Sequence, residues 1–209
     1  MRSRGVTFVP LEVTTDDASL IDGVYDYAVT DRYIYVLPVK EPRIVLFDRQ
    51  GRFIRTLVKE GQGPGEFRGI LPCIQVDERN DRLFLFSNNR VWEYTLEGEF
   101  IGQSTHEYSV IYMRHIGKDR FAAISFPFQP FNGGGFGLGL FSRKGDTIAI
   151  KNDFYSFLLP HEKSGFTTSI APAYSDAQNS VLFKTGSNDT VFCISADRIS
   201  AACVLDLKN

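Results

Sequence analysis

The side chains that could do chemistry in this chain are few, and their spacing matches no catalytic pattern. His161-Glu162 offers the first half of a zinc-protease helix motif, but no second histidine follows at ligand spacing, so His161 reads as a loop residue. Gly133 to Gly139 departs from the G-x-G-x-x-G pattern and precedes a strand-like run rather than a helix, so it predicts no dinucleotide site. No G-x-S-x-G and no phosphate-binding loop occur. The three cysteines, Cys73, Cys193 and Cys203, sit in apolar runs where a free thiol behaves as a small buried hydrophobe. Cys193 and Cys203 flank one hairpin and could meet, yet the chain has no dense cysteine framework, so all three are expected to be free. These readings predict no catalytic residues, no metal site and no cofactor.

What remains is suited to noncovalent recognition. Gly61-Gln62-Gly63-Pro64-Gly65-Glu66-Phe67 packs three glycines and a proline into seven residues, which excludes a helix or a central strand. Phe126-Pro127-Phe128-Gln129-Pro130-Phe131-Asn132-Gly133-Gly134-Gly135-Phe136 is aromatic and glycyl throughout, and Tyr155 and His161 lie in a second long aromatic connection. Glycine lets a ligand approach the backbone closely, and aromatic side chains offer contact area at low entropic cost. Gln62, Glu66, Phe67, Phe126, Phe128, Phe131, Phe136, Tyr155 and His161 are therefore the candidate ligand- or partner-binding residues. The competing role for the same phenylalanines is to cover the apolar rim of their own sheet.

The elements that would hold these loops follow from an internal repeat. Ile44 to Ile54, Val91 to Ile101 and Leu138 to Ile148 are copies of one segment: Phe47, Tyr94 and Phe141 are spaced alike, and so are Gly51, Gly98 and Gly145. A weaker copy is Val191 to Ile199, with Asp197 near the glycine position. A second marker, Asp31-Arg32, Asp81-Arg82 and Asp119-Arg120, precedes a strand in each unit, and Asn179 fills that place in the fourth. The arginines of these turns are expected to bridge acids at the surface, which is worth little. With 18 Phe, 9 Tyr and only 2 Met, and no long run at helical spacing, the chain reads as all-β.

Each unit supplies four strands, expected near 23–29, 33–37, 43–47 and 52–58; near 72–77, 82–87, 91–95 and 99–104; near 111–116, 120–125, 138–142 and 146–150; and near 168–174, 180–184, 190–194 and 198–206. A further short strand is expected at Val6 to Glu12, with Pro10 favouring an edge. Four-stranded antiparallel meanders in series are β-propeller blades, so residues 1–209 read as one propeller domain with units near 20–58, 71–104, 111–150 and 168–207. In such a blade the tight turns gather at one end, and the long connections 59–70, 125–136 and 151–167 gather at the other, which is the expected functional face. The innermost strands carry one acid well inside them, Asp26.

Phe8-Val9-Pro10-Leu11-Glu12, the strand end Phe47-Asp48 with Gly51 and Phe53-Ile54, the glycine-rich heptapeptide and Ser187-Asn188-Asp189-Thr190-Val191-Phe192 together resemble the TolB-like, NHL-related six-bladed β-propeller proteins. That resemblance implies a bacterial cell-envelope lipoprotein, periplasmic or at the cell surface and lipid-anchored, with its leader absent from this sequence. It implies no catalytic residue to carry over. Six blades against four units imply a truncated propeller, or a ring completed by another chain, with self-association possible through an open blade edge.

The expected function is a non-catalytic binding or scaffold module for a protein or small ligand. The alternative is a calcium-dependent lactonase or esterase, which needs oxygen ligands converging from several inner strands. A net charge of −2 gives no field to draw the chain onto nucleic acid, and no run approaches the ~18 apolar residues of a membrane helix. Met1-Arg2-Ser3-Arg4-Gly5 is not followed by an apolar stretch, so no signal peptide is visible.

Overall fold

A computed structural model describes residues 8–15, 17–68, 73–87, 89–107, 110, 112–124, 137–151, 179–184 and 189–206. Its described residues form fifteen strands and no helix. Strands β1 (Val24–Val29), β2 (Tyr33–Pro38), β3 (Arg43–Asp48) and β4 (Phe53–Lys59) make the first antiparallel meander. β5 (Cys73–Asp77), β6 (Arg82–Ser87), β7 (Arg90–Tyr94) and β8 (Phe100–Thr105) make the second. β9 (Tyr112–His115), β10 (Arg120–Ile124), β11 (Leu138–Ser142) and β12 (Thr147–Lys151) make the third. β13 (Ser180–Lys184), β14 (Thr190–Ser195) and β15 (Ile199–Val204) make the fourth, and the strand expected at 168–174 lies outside the described residues. The chain is thus all-β and built from propeller-type blades.

Two compact units divide it: residues 1–87 with 91–103, and residues 88–90 with 104–209. In the first unit the first and second meanders pack face to face. Tyr35, Leu37, Ile44 and Leu46 meet Leu83, Leu85, Trp92 and Tyr94 in one buried cluster. In the second unit Ala122, Ile124, Leu138 and Leu140 meet Val181, Phe183, Phe192 and Ile194 in the same way. Alternation explains this arrangement, because partners across the ladder, such as Ile34 and Phe47 or Tyr35 and Leu46, share a face.

The repeated glycine is dictated by one turn. Gly51, Gly98 and Gly145 have φ of 83°, 87° and 101°, a region L side chains avoid. Each closes the same pair of hydrogen bonds: Gly51 N–H to Asp48 O and Asp48 N–H to Arg52 O, both 3.0 Å, recur at Thr95 to Glu99 and Ser142 to Asp146. The fourth hairpin differs. Ser195 N–H donates directly to Arg198 O (3.0 Å), so the loop is one residue shorter and Asp197 need not take a positive φ. The weaker fourth copy is a different turn, not a degenerate one.

The aspartate marker has a similar cause. Asp81, Asp119 and Asn179 sit at φ of 54°, 55° and 63°, a conformation these short polar residues tolerate. Asp81 Oδ1 also accepts from Leu96 N–H (3.1 Å), tying one turn to the next. Of the marker arginines, Arg32 bridges Glu78 at the surface (3.4 Å), as expected. Arg82 does not fit that expectation, because its partner Glu93 (2.7 Å) is buried.

Two further expectations need correction. Residues 8–12 of the expected Val6–Glu12 strand form no ladder: Pro10 has no donor, and the main-chain link is Glu12 N–H to Gly51 O (2.8 Å). They run instead as an arm along the first meander. Cys203 is exposed rather than buried, because β15 is an outer strand; Cys73, Cys193 and Cys203 are all free thiols, and Cys203 pairs across the ladder with Val191.

Candidate functional site

The connection from β4 to β5 carries the glycine-rich heptapeptide, and its described part, Glu60 to Arg68, is bonded almost entirely to itself. Gly61 N–H donates to Phe67 O (3.1 Å) and Glu66 N–H to Gly63 O (3.2 Å). The Glu66 carboxylate turns back over the loop, accepts from Gly63 N–H at 2.8 Å and pairs with Lys59 at 3.8 Å. Glu66 lies so close above Gly61 that a β-carbon there would collide with its carboxylate. Arg68 closes the other end, donating from Nε to Gly61 O (3.1 Å) and from Nη2 to Gln62 O (3.2 Å). Gly65 takes φ of 77° against the Phe100 side chain, where a β-carbon would come within 2.9 Å. Phe67 then drops into the core of the first unit, fully buried, with its ring edge-on to Trp92 at 6.4 Å. One anchor below and two ionic clasps above leave Gln62, Gly63 and Pro64 exposed at the tip.

The nine predicted binding residues fall into distinct places. Gln62 is exposed, Glu66 is half-buried and engaged within the loop, and Phe67 is a core anchor. These three come together. Phe126, Phe128, Phe131, Phe136, Tyr155 and His161 lie outside the described residues.

On the inner strand of the first meander, the ladder shifts register between Val24 and Asp26. Asp26 Oδ1 accepts from Tyr27 N–H (2.9 Å), and Oδ2 reaches across to Ile74 N–H on β5 (2.7 Å). Burial raises its pKa, and the two N–H donors pull it back. The carboxylate therefore staples two inner strands and has no oxygen left wholly free. Burial, helped by Asp26, pushes the neighbouring Cys73 thiol up to about 11, which keeps it protonated and unreactive at neutral pH. Among the described residues no three His, Cys, Asp or Glu side chains gather as a metal-binding group.

Sequence reasoning passed over His106. It is buried in the second unit, edge-on to Phe141 at 5.2 Å and Phe121 at 6.1 Å, and neither ring nitrogen has a hydrogen-bond partner. Its main chain is fastened on both sides, N–H to Asn89 O (2.7 Å) and O to Asn89 Nδ2 (3.2 Å). Burial lowers its pKa to about 4. Its sequence context, a polar stretch after β8, gives no sign of this.

No curated protein matches the chain in sequence. Among solved structures, it is similar to a protein assigned as exported from Bacteroides fragilis NCTC 9343, at 19% identity and a TM-score of 0.70, covering 92% of this chain and 53% of that one. It is also similar to a DUF4221 family member from Bacteroides vulgatus ATCC 8482, at 10% identity and a TM-score of 0.58, covering 94% of this chain and 61% of that one. At such identities the likeness speaks for the fold, and the chain spans little more than half the length of either. The family model for DUF4934, a domain of unknown function, matches residues 4–209, and the chain belongs to that family.

Proposed function

We propose that this chain is a non-catalytic binding module that recognises a protein or small ligand through the ends of its sheets bearing the long connections. The observation that carries this reading is the Gly61–Arg68 loop: Phe67, Glu66 and Arg68 lock it from within, while Gln62 to Pro64 stand exposed on it. A loop fixed before binding gives up little entropy on contact. Phe126, Phe128, Phe131, Phe136, Tyr155 and His161, in the long connections that follow in the chain, are proposed as binding residues from their place in the repeat alone. We place the module outside the cytoplasm as a lipid-anchored envelope protein of the TolB-like, NHL-related kind. The sequence resemblance and the exported assignment of one similar protein support that placement.

The test compares capture of envelope components by immobilised wild-type chain, by Gln62→Arg and by the double variant Phe128→Ser/Phe131→Ser. Gln62→Arg leaves the bonds beneath the tip in place, so its melting temperature is expected to hold while capture falls. For the double variant, a large drop in melting temperature with capture intact would end the recognition reading and leave the phenylalanines as rim seals.

A further inference from the structure

Two outermost strands carry corresponding residues of different chemistry. At Gly98 a β-carbon would stand 2.8 Å from Leu57 O of β4, and at Gly145 one would collide with Thr105 O of β8. The residues that follow these two carbonyls, Val58 and His106, therefore hold matching places. Val58 is a hydrophobe in the buried cluster of the first unit, which is what the place asks for. His106 is just as deeply buried, at 2% exposure, yet it is ionisable.

The neutral ring, edge-on to Phe121 and Phe141, already leaves both nitrogens without a partner. An imidazolium there would be a buried charge with two unpaired donors, which costs far more. The charged groups nearby are engaged elsewhere or stand in solvent. Arg120 on β10 donates to Asp119 O, Arg143 pairs with Asp119, Asp146 accepts from Ser142 Oγ, and Glu93 on β7 pairs with Arg82. Arg90, Glu107 and Lys144 are exposed, and His115 on β9 meets the same Phe121 edge-on at 5.4 Å. None of them bonds to the His106 ring. The His106 main chain is fastened to Asn89 twice, through its N–H (2.7 Å) and through its carbonyl (3.2 Å). Asn89 lies in the β6–β7 turn and His106 opens the β8–β9 connection, so the pair ties two connections at one end of the second meander.

We infer that His106 and Asn89 form an acid-released latch: protonation drives the ring out from between Phe121 and Phe141, the clasp on Asn89 parts with it, and the start of the β8–β9 connection swings free while the sheets stay folded. His106 is buried as a whole residue, so a turn about its own side-chain bonds keeps the ring among buried neighbours, and the main chain must move to bring it to water. The direction in pH follows from burial. The closed form holds the ring near 4 against an ordinary 6.5, so the opened form binds more protons between those values. The latch is shut above the ordinary value and released progressively towards pH 4. It is separate from the loop tip of the proposed binding site, and the inference does not depend on that site.

The test is residue-resolved hydrogen exchange on the full chain at pH 7 and pH 4.5, with each rate referred to the intrinsic rate at that pH. The His106 amide is expected to be less protected than the amides of β10, a strand paired on both sides, and to lose protection about 50-fold between the two conditions. His106→Phe is expected to abolish that pH dependence. Asn89→Ala removes the side-chain half of the clasp, and is expected to speed exchange at His106 several-fold at pH 7 while keeping the pH dependence. Protection at His106 equal to that of β10 under both conditions overturns the inference, because the unit then opens only as a whole. An imidazole that titrates by NMR while its own amide stays protected also overturns it, since the ring then turns alone. An equal fall in His106→Phe assigns the acid response to carboxylates and overturns it as well, and unchanged exchange in Asn89→Ala counts against the clasp.

Discussion

The two faces of the first meander come from the same four strands and end differently. One face is sealed: the second meander lies against it, and Phe67 closes the space beside Trp92. The other is half-covered by an arm that contributes Leu11 and Ile21 but makes no ladder. Strand pattern does not account for the difference, since both faces are apolar along β2 and β3, where Val36 and Val45 are as buried as Tyr35 and Leu46. What differs is the neighbour. A sheet in this fold has two apolar faces, and how deeply each is buried is decided by what packs on it.

The sharpest way to break this contrast is to open the sealed side. Phe67→Ala removes a fully buried ring from between the two meanders, and truncations of this kind cost about 3–5 kcal/mol. It also frees the loop above, because Phe67 O is the acceptor for Gly61 N–H. Chemical denaturation should show the full loss. A loss below about 1 kcal/mol would mean that the loop rests on the core without sealing it.

The second unit seals one of its faces with a titratable ring, which makes that seal sensitive to pH. His106 is held neutral, with its folded pKa near 4 against an ordinary 6.5. A depressed pKa means that the unfolded chain binds more protons between those values, so stability falls as the pH drops through that window. The contribution is complete above the ordinary value and exhausted near pH 4, and it amounts to about 3 kcal/mol. His106→Phe keeps an aromatic ring against Phe121 and Phe141 and removes the titration. Denaturation midpoints at pH 7 and pH 4.5 should differ clearly more in the wild type than in the variant; parallel shifts would show that carboxylates carry the acid response.

Much of this architecture could be read from the sequence because the repeat is a chain of local necessities. Gly51, Gly98 and Gly145 recur because a bulged turn needs a positive φ, and Asp81, Asp119 and Asn179 because a short polar residue tolerates one. Such signals are written in single residues, and the fifteen strands follow the spans they predict. The fourth hairpin is the weaker copy because its shorter turn, which holds Asp197 near the glycine position, removes the demand for glycine without changing the flanking strands. The heptapeptide was legible as a loop but not as a clasp. That Glu66 turns back onto Gly63 depends on a side-chain path, and that Phe67 points into the core depends on where β7 puts Trp92. His106 left no trace in the sequence because its burial is decided by Phe121 and Phe141, which are distant along the chain.

The open face yields the smallest expected effect. Tyr27 is 64% exposed, so Tyr27→Ser removes little buried area and leaves Val36 and Val45 under their existing cover. The serine loses some strand propensity, a scale that spans only ~1 kcal/mol in all. Thermal melts of the isolated chain are therefore expected to shift by a degree or two, whereas Phe67→Ala on the opposite face shifts them strongly. If the shift for Tyr27→Ser is large, the face was never open, and the difference between the two sides of the meander disappears.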